Sequence, residues 1–375
     1  MLLPRLLAAA ATQLLRRDQW DDAGDGGSGN SGGDGDNDNC VPAKPGPNGN
    51  VPITACNSYY NYDPQFGPAV AVAVIFGIFT AVHVFQAFAF RKRYVWVLIM
   101  GALWETLAFV IHSLGTRDQQ QIAYATAWNI LFLLAPLWIN AFAYMTFARM
   151  VFYWHPEGKV AGLRATRIAM WFVLADIISF IVQGVGGIMA SPSASADIIR
   201  IGLNIYLAGM ALQQFFILIF LGLMVAFQRR CNRARAANFG HDGKRSWRPL
   251  LFAQYGVLVC ITVRIIFRIC EFAGGVTPSN PIPFHEEYSY ALDCFPMMVA
   301  LLILAIFHPG RFLVGPDSEF PRVSRKEKKA RKREKKNAER LEKEAKKQAK
   351  RDRRRRKSGV EDEGYRLPRH TDSPY

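Results

Sequence analysis

Charged side chains stand inside stretches that are otherwise almost wholly apolar: Glu105, Asp176, Arg264, Arg268, Glu271 and Asp293. A charge near the centre of a bilayer costs a few kcal/mol on insertion scales, so each such group must face protein or a water-filled cavity. Their spacing supports inward faces, because residues at i, i+3, i+4 and i+7 share one side of a helix. Arg264, Arg268 and Glu271 follow that pattern, as do Asp176, Ser179 and Gln183 with Gly187 a turn further on. Gly202, Tyr206, Gly209 and Gln213 align in another stretch, Glu286, Tyr290 and Asp293 in a third, and Glu105 with His112 in a fourth. Four buried carboxylates then face two arginines, and an acidic excess of that kind suits a cation, a proton or the amine of an amphiphile. The residues expected to line a substrate path are therefore Glu105, Asp176, Gln183, Gln213, Arg264, Arg268, Glu271, Tyr290 and Asp293.

A plainer reading sets these groups against one another as pairs that hold helix register. It is preferred for Arg268 with Glu271, since a neutralised pair lowers the cost of burial. Gly202 and Gly209 read as close-packing positions, and Pro136 as the origin of a kink. For Asp176 and Asp293 both readings stand open.

The elements that must position these residues are membrane spans. Half of the 375 residues are hydrophobic, and they collect in long blocks rather than short stripes. Seven blocks, near 68–90, 94–114, 122–151, 167–190, 198–227, 250–273 and 288–308, approach or exceed the ~20 residues that cross a ~30 Å hydrocarbon layer. The expected fold is an all-α bundle of seven transmembrane helices. Its third and fifth helices are long enough to tilt or to extend past the membrane.

Basic residues alternate between the connections. Arg91, Lys92 and Arg93 fill the first; Lys159, Arg164 and Arg167 the third; Arg229, Arg230, Arg233, Arg235, Lys244, Arg245 and Arg248 the fifth. The second carries only Arg117, the fourth only Arg200, and the sixth none. Positive charge stays on the cytosolic side. The expected organisation is thus an extracellular, largely disordered segment over 1–67, a seven-helix domain over 68–310, and a basic cytosolic tail over 311–375.

The outer segment opens with MLLPRLLAAAAT, an apolar run that is short for a signal peptide and leads into Arg16-Arg17, so retention is expected. Residues 21–39 are Asp, Gly, Asn and Ser, which cannot bury a core. Cys40 and Cys56 fall in an oxidising compartment and are expected to form a disulfide. The tail holds 24 Lys and Arg against 12 Asp and Glu, which is most of the net charge of +16. That charge reports where the cytosol lies and does not imply nucleic acid. Anionic inner-leaflet lipids are the partner expected for it.

Several chemistries have no support in the residues. No phosphate-cradling GxxxxGK[ST] loop occurs, and no Lys in a span offers a Schiff base. The Asn-Pro-x-x-Tyr and Asp-Arg-Tyr elements of G-protein-coupled receptors are missing. His83, His112 and His308 stand singly, unlike the clustered ligands of an intramembrane zinc hydrolase. An enzyme is not expected, and neither a cofactor nor a metal.

Several short strings, in order, resemble one family. They are Leu134-Ala135-Pro136 with Ala143-Tyr144 and Arg149; Asp176, Ser179 and Gln183 with Gly186-Gly187; and Gly202 and Gly209 before Gln213. Arg264, Arg268 and Glu271 with Gly274-Gly275 follow, then Glu287, Tyr290 and Asp293 with His308-Pro309-Gly310. From about residue 62 to 315 the chain resembles the fungal lipid-translocating exporters, the seven-helix "resistance to aminocholesterol" proteins. It departs from them after Glu105, where Thr-Leu-Ala-Phe stands in place of the family's usual Gly-Tyr and basic residue. The resemblance implies plasma-membrane residence in a fungus, and export or flipping of sphingoid bases or other toxic amphiphiles. Its alternative is a seven-helix sensor of lipids or stress that signals through the fifth connection and the tail. Removing residues 322–375 separates the two: a transporter retains resistance to added sphingoid base, whereas a sensor loses its response, as read from growth at matched protein abundance.

Overall fold

The computed structural model describes residues 43–53, 55, 57–155, 158–190, 195–236, 246–275, 280–315, 320, 333–334 and 337–349. Among the described residues, seven helices are long and apolar enough to cross a membrane and make up the bundle, as the sequence predicts. They are α1 (Phe66–Phe90), α2 (Trp96–Gly115), α3 (Ile122–Trp154), α4 (Ala165–Met189), α5 (Ala196–Ala236), α6 (Arg248–Ala273) and α7, the composite span Glu286–Arg311. The expected Cys40–Cys56 disulfide and the Met1–Thr12 run lie outside the described residues. Phe320–Tyr375 forms a unit of its own, in which helix 337–349 is exposed and carries Arg340–Glu344 and Glu342–Lys346 pairs one turn apart.

α3 and α6 are the inner helices: 56% of each apolar window is buried, against 28% for α1. With 33 and 41 residues, α3 and α5 rise about 50 and 60 Å, well beyond a ~30 Å hydrocarbon layer. Tyr144, Phe147, Phe172, Phe220 and Phe227 interlock between α3, α4 and α5 with ring centroids 4.6–5.6 Å apart, edge-to-face except for the tilted Tyr144–Phe172 pair.

The connection after α3 holds a hairpin that the apolar pattern did not signal. β1 (Lys159–Val160) pairs antiparallel with β2 (Leu163–Arg164). Ala161 and Gly162 have φ of 47° and 81°, the left-handed pair that a two-residue turn between twisted strands requires. Alanine in the first of these positions is unusual, so the turn has no strong sequence signature.

α7 is not one uniform helix. Glu286–Ser289 is α-helical, Tyr290–Cys294 is a π turn, and Phe295–Ile306 is α-helical again. Pro296 accounts for the interruption, because it cannot donate to the carbonyl of Leu292 and its ring crowds that carbonyl. Widening the preceding turn relieves the conflict. It also breaks the even spacing from which Glu286, Tyr290 and Asp293 were expected to share one face.

The described residues between 43 and 65 lie across the ends of α2, α3 and α7. Gln119 donates its backbone N–H to the Asn48 carbonyl (3.0 Å) and its side chain to Asp63 (3.0 Å), while Gln120 reaches the Gly49 carbonyl (2.7 Å). Tyr60 is buried, with its hydroxyl where a side chain on Gly115 would stand.

α4 and α5 meet backbone to backbone. A Cβ on Gly186 would lie 2.4 Å from the Tyr206 nitrogen, and one on Gly202 would lie 2.6 Å from the Ala190 nitrogen. Gly209 fits equally closely over Gln183 and Ser179. Gly202 and Gly209 are thus close-packing positions, as read from the sequence. The expected place of Gly187 on the polar face belongs to Gly186 instead, because Gly187 has open space around it. Gly186→Leu is expected to destabilise the bundle by about 1–3 kcal/mol through overpacking, with Gly187→Ala near neutral. Thermal unfolding of the detergent-solubilised variants measures the difference.

Candidate functional site

Asp293 is fully buried at the π turn of α7 and accepts from both arginines of α6, the Nε of Arg264 and the Nε of Arg268. Arg268 also donates to Glu271 at 3.0 Å, the pairing preferred from sequence. Arg264 spends a further N–H on α3, where its Nη2 lies 3.0 Å from the Phe132 carbonyl. That carbonyl is free because Pro136, four residues on, has no N–H to give it. Both guanidiniums also lie over the Phe132 ring, 5.2 and 5.1 Å from its centroid. One proline thus creates the acceptor that ties α6 to α3.

The expected acidic excess is redistributed by this geometry. Asp293 and Glu271 form a closed network with the two arginines. Asp176 is buried on α4 and accepts from Asn140 of α3 at 3.1 Å, next to Tyr144. Glu105 is fully buried and makes no hydrogen bond. Tyr290 belongs to neither group. It donates to Glu286 at 2.8 Å, and Glu286 also bonds His112 (2.9 Å) and the Gln65 backbone N–H (2.9 Å). His112, expected to share a face with Glu105, stacks on Trp128 with centroids 4.2 Å apart. Beside this cluster, burial foremost and then the charges of Glu286 and Asp118 push the Tyr60 phenol up to about 12.

A cavity opens between α3, α4, α5 and α6. Gln183, Gln213, Arg264 and Arg268 line it, joined by Asn140 and Tyr206, with Leu133, Pro136, Phe180 and Met210 among its apolar walls. Gln183 donates to Gln213 across the α4–α5 seam at 3.0 Å. The Oδ1 of Asn140 is buried and without a donor. No carboxylate lines the cavity. Its water-sized free space is about 30 Å³, which admits a small polar group and not an acyl chain. Four expected residues therefore meet at one cavity, Asp176, Glu271 and Asp293 support its walls, and Glu105 and Tyr290 lie elsewhere.

Asn140 and Phe132 were missed. The signal was present for both: a free carbonyl four residues before a mid-helix proline, and an amide one turn after it. Tyr206 was on an inward stripe but did not stand out among neutral residues. The Glu286–His112 pair joins distant parts of the chain and has no local signature.

The model of the RTA1-like protein family matches residues 98–315, from α2 through the end of α7. The chain belongs to that family. Among its relatives is a probable lipid transporter, atnI, of Emericella nidulans, 44% identical over 77% of each chain. The lipid-translocating exporter-like protein RTA1 of Leptosphaeria maculans is 25% identical over 71% of this chain and 53% of its own length. The sphingoid long-chain base transporter RSB1 of Saccharomyces cerevisiae is 22% identical over 67% of this chain and 73% of its own. No solved structure matches. The RTA1-like chain is a multi-pass membrane protein, with α2 to α7 inside the family match and α1 before it.

Breaking one side of a buried ion pair strands the other charge, at a cost of about 3–5 kcal/mol. Asp293→Asn is accordingly expected to lower the unfolding temperature, and Asp176→Asn to lower it much less. Size-exclusion profiles after stepwise heating measure both.

Proposed function

We propose that this RTA1-like protein moves amphiphilic lipids, sphingoid bases foremost, across a fungal membrane, with the polar head seated in the cavity between α3, α4, α5 and α6. The observation that carries this reading is a set of neutral hydrogen-bonding groups, Gln183, Gln213, Asn140 and Tyr206, in a wall whose other members are apolar side chains and the two paired arginines. Asn140 Oδ1 supplies a buried acceptor for an amine or hydroxyl. The arginines' charges are balanced by Asp293 and Glu271, so the head is held by amides and a phenol rather than by a carboxylate. The relatives named as lipid and sphingoid-base transporters support the substrate class.

The small free volume calls for a motion in the cycle. For a head group to enter, α3 and α6 separate, and Arg264 exchanges the Phe132 carbonyl for a hydroxyl oxygen of the ligand. The substrate leaves unaltered, so the protein acts as a transporter and not as an enzyme. The alternating basic connections support an outer N-terminus and cytosolic tail. In that orientation the basic tail attracts anionic inner-leaflet lipids, at roughly 1 kcal/mol for each Lys or Arg at the surface. The family resemblance supports the plasma membrane as the site of action.

Transbilayer movement of a labelled sphingoid base, in proteoliposomes containing only this protein, tests the reading. Movement well above protein-free vesicles is expected. Gln183→Ala with Gln213→Ala should slow it several-fold, since each lost hydrogen bond is worth about 1 kcal/mol. A rate equal to that of protein-free vesicles would overturn the proposal.

A further inference from the structure

Away from the cavity, a second line of buried polar groups runs along α1, α2 and α7. Glu105 of α2 is fully buried, and neither carboxylate oxygen makes a hydrogen bond. His83 of α1 is equally buried, and neither ring nitrogen has a hydrogen bond of normal geometry. His112 Nδ1, His308 Nε2 and Gln86 Oε1 are buried and unpartnered as well. Leaving such groups unpaired costs about 1–3 kcal/mol each, more for a charged one. None of them lines the cavity, so head-group binding does not account for them.

Cross-helix contacts set their heights. Thr80 of α1 bonds Thr106 of α2 at 3.0 Å, which places Glu105 beside Thr80 and His83 roughly 5 Å further along α1. Gln86 donates to the Ala305 carbonyl of α7 at 2.8 Å, and the Phe90 ring stacks on His308 at 4.7 Å. In the other direction His112 stands two turns from Glu105, about 10 Å along α2, and holds Glu286. From Glu286 to His308 α7 rises about 33 Å, close to the thickness of a hydrocarbon layer.

Several charged groups face this line. Arg264, Arg268, Asp293 and Cys294 lie within electrostatic reach of Glu105. Gln86 and the Leu301 backbone face His83, while His83 and Arg311 act on His308. Glu286, Trp128 and Tyr60 surround His112. Between the levels of His112 and Glu105, α7 carries the π turn Tyr290–Cys294, with Tyr290 bonded to the Glu286 that holds His112 and Asp293 within reach of Glu105. Such turns recur at functional sites.

We propose that this column is a proton pathway, separate from the head-group cavity, with Glu105 and His83 as its central carriers. A proton passed from the Glu286–His112 end forms the Glu105 carboxylic acid. That O–H bond breaks as a water between the two side chains takes the proton, and a water O–H bond breaks as an N–H bond forms on His83. The resulting imidazolium releases the proton through water held by Gln86 to His308. His308 then gives the proton to water at its end of the bundle, and the Glu286–His112 end regains one from the opposite side. The net change is one proton moved, with every carrier returned to its starting form. Ionisable residues inside a span mark proton relays often enough to make this the first function to test.

The test uses the full chain in liposomes holding a pH-sensitive dye, with a potassium diffusion potential across the bilayer, with and without added sphingoid base. Internal acidification well above protein-free vesicles is expected in at least one condition. Glu105→Gln and His83→Gln should each reduce it roughly tenfold or more, the scale of a lost acid–base group. Glu105→Asp should restore part of it, and Gly187→Ala should leave it unchanged. Monodisperse elution of each variant separates lost proton flux from lost folding. Acidification at the protein-free level in both conditions would overturn the pathway, as would flux indifferent to both substitutions. Proton flux without sphingoid-base movement would sustain the pathway and defeat the transport reading. Base movement without proton flux would do the reverse.

Discussion

The bundle turns on one buried carboxylate. Asp293 binds both Arg264 and Arg268, which fixes α6 against α7 at a depth where an unpaired charge would cost several kcal/mol. Arg264 then extends the same network to α3 through the Phe132 carbonyl that Pro136 leaves without a donor. Three helices are therefore held by polar contacts in the membrane interior, where association gains little from the hydrophobic effect because lipid tails are as apolar as the side chains.

Helices α4 and α5 join chiefly by shape. Gly186, Gly202 and Gly209 let α4 and α5 approach until backbone meets backbone, which brings Gln183 against Gln213. The cavity sits where the polar tie between α3 and α6 meets this glycine seam. Its walls combine a rigid side with one that depends on a few hydrogen bonds to guanidinium. In the proposed cycle, a ligand that competes for those bonds would act on the seam that must open to admit it, which would link binding and opening through one side chain.

Two polar systems share the interior without merging. The cavity is lined by amides and arginines between α3, α4, α5 and α6, whereas Glu105, His83, Gln86 and His308 follow α1, α2 and α7. They approach one another only near Asp293, which pairs the arginines on one side and faces Glu105 on the other. Pro296 places the π turn at that level. A change of pairing at Asp293 would be felt by both systems.

Seven spans, their approximate ends and an inward polar stripe on each of several helices were legible in the sequence, because insertion into hydrocarbon demands long apolar runs and turns every charge toward protein. The Arg268–Glu271 pair and the packing role of Gly202 and Gly209 were legible too, since both follow from spacing on a single helix or from residue size. What paired across helices was not. Four carboxylates facing two arginines described the composition of the interior. Only the tertiary structure decided that Asp293 takes both arginines, that Asp176 turns to Asn140, that His112 serves Glu286, and that Glu105 is left without a hydrogen bond. A helix's own periodicity sets which face a residue occupies. Its partner depends on depth, rotation and the π turn of α7, and those are settled only when the helices pack together.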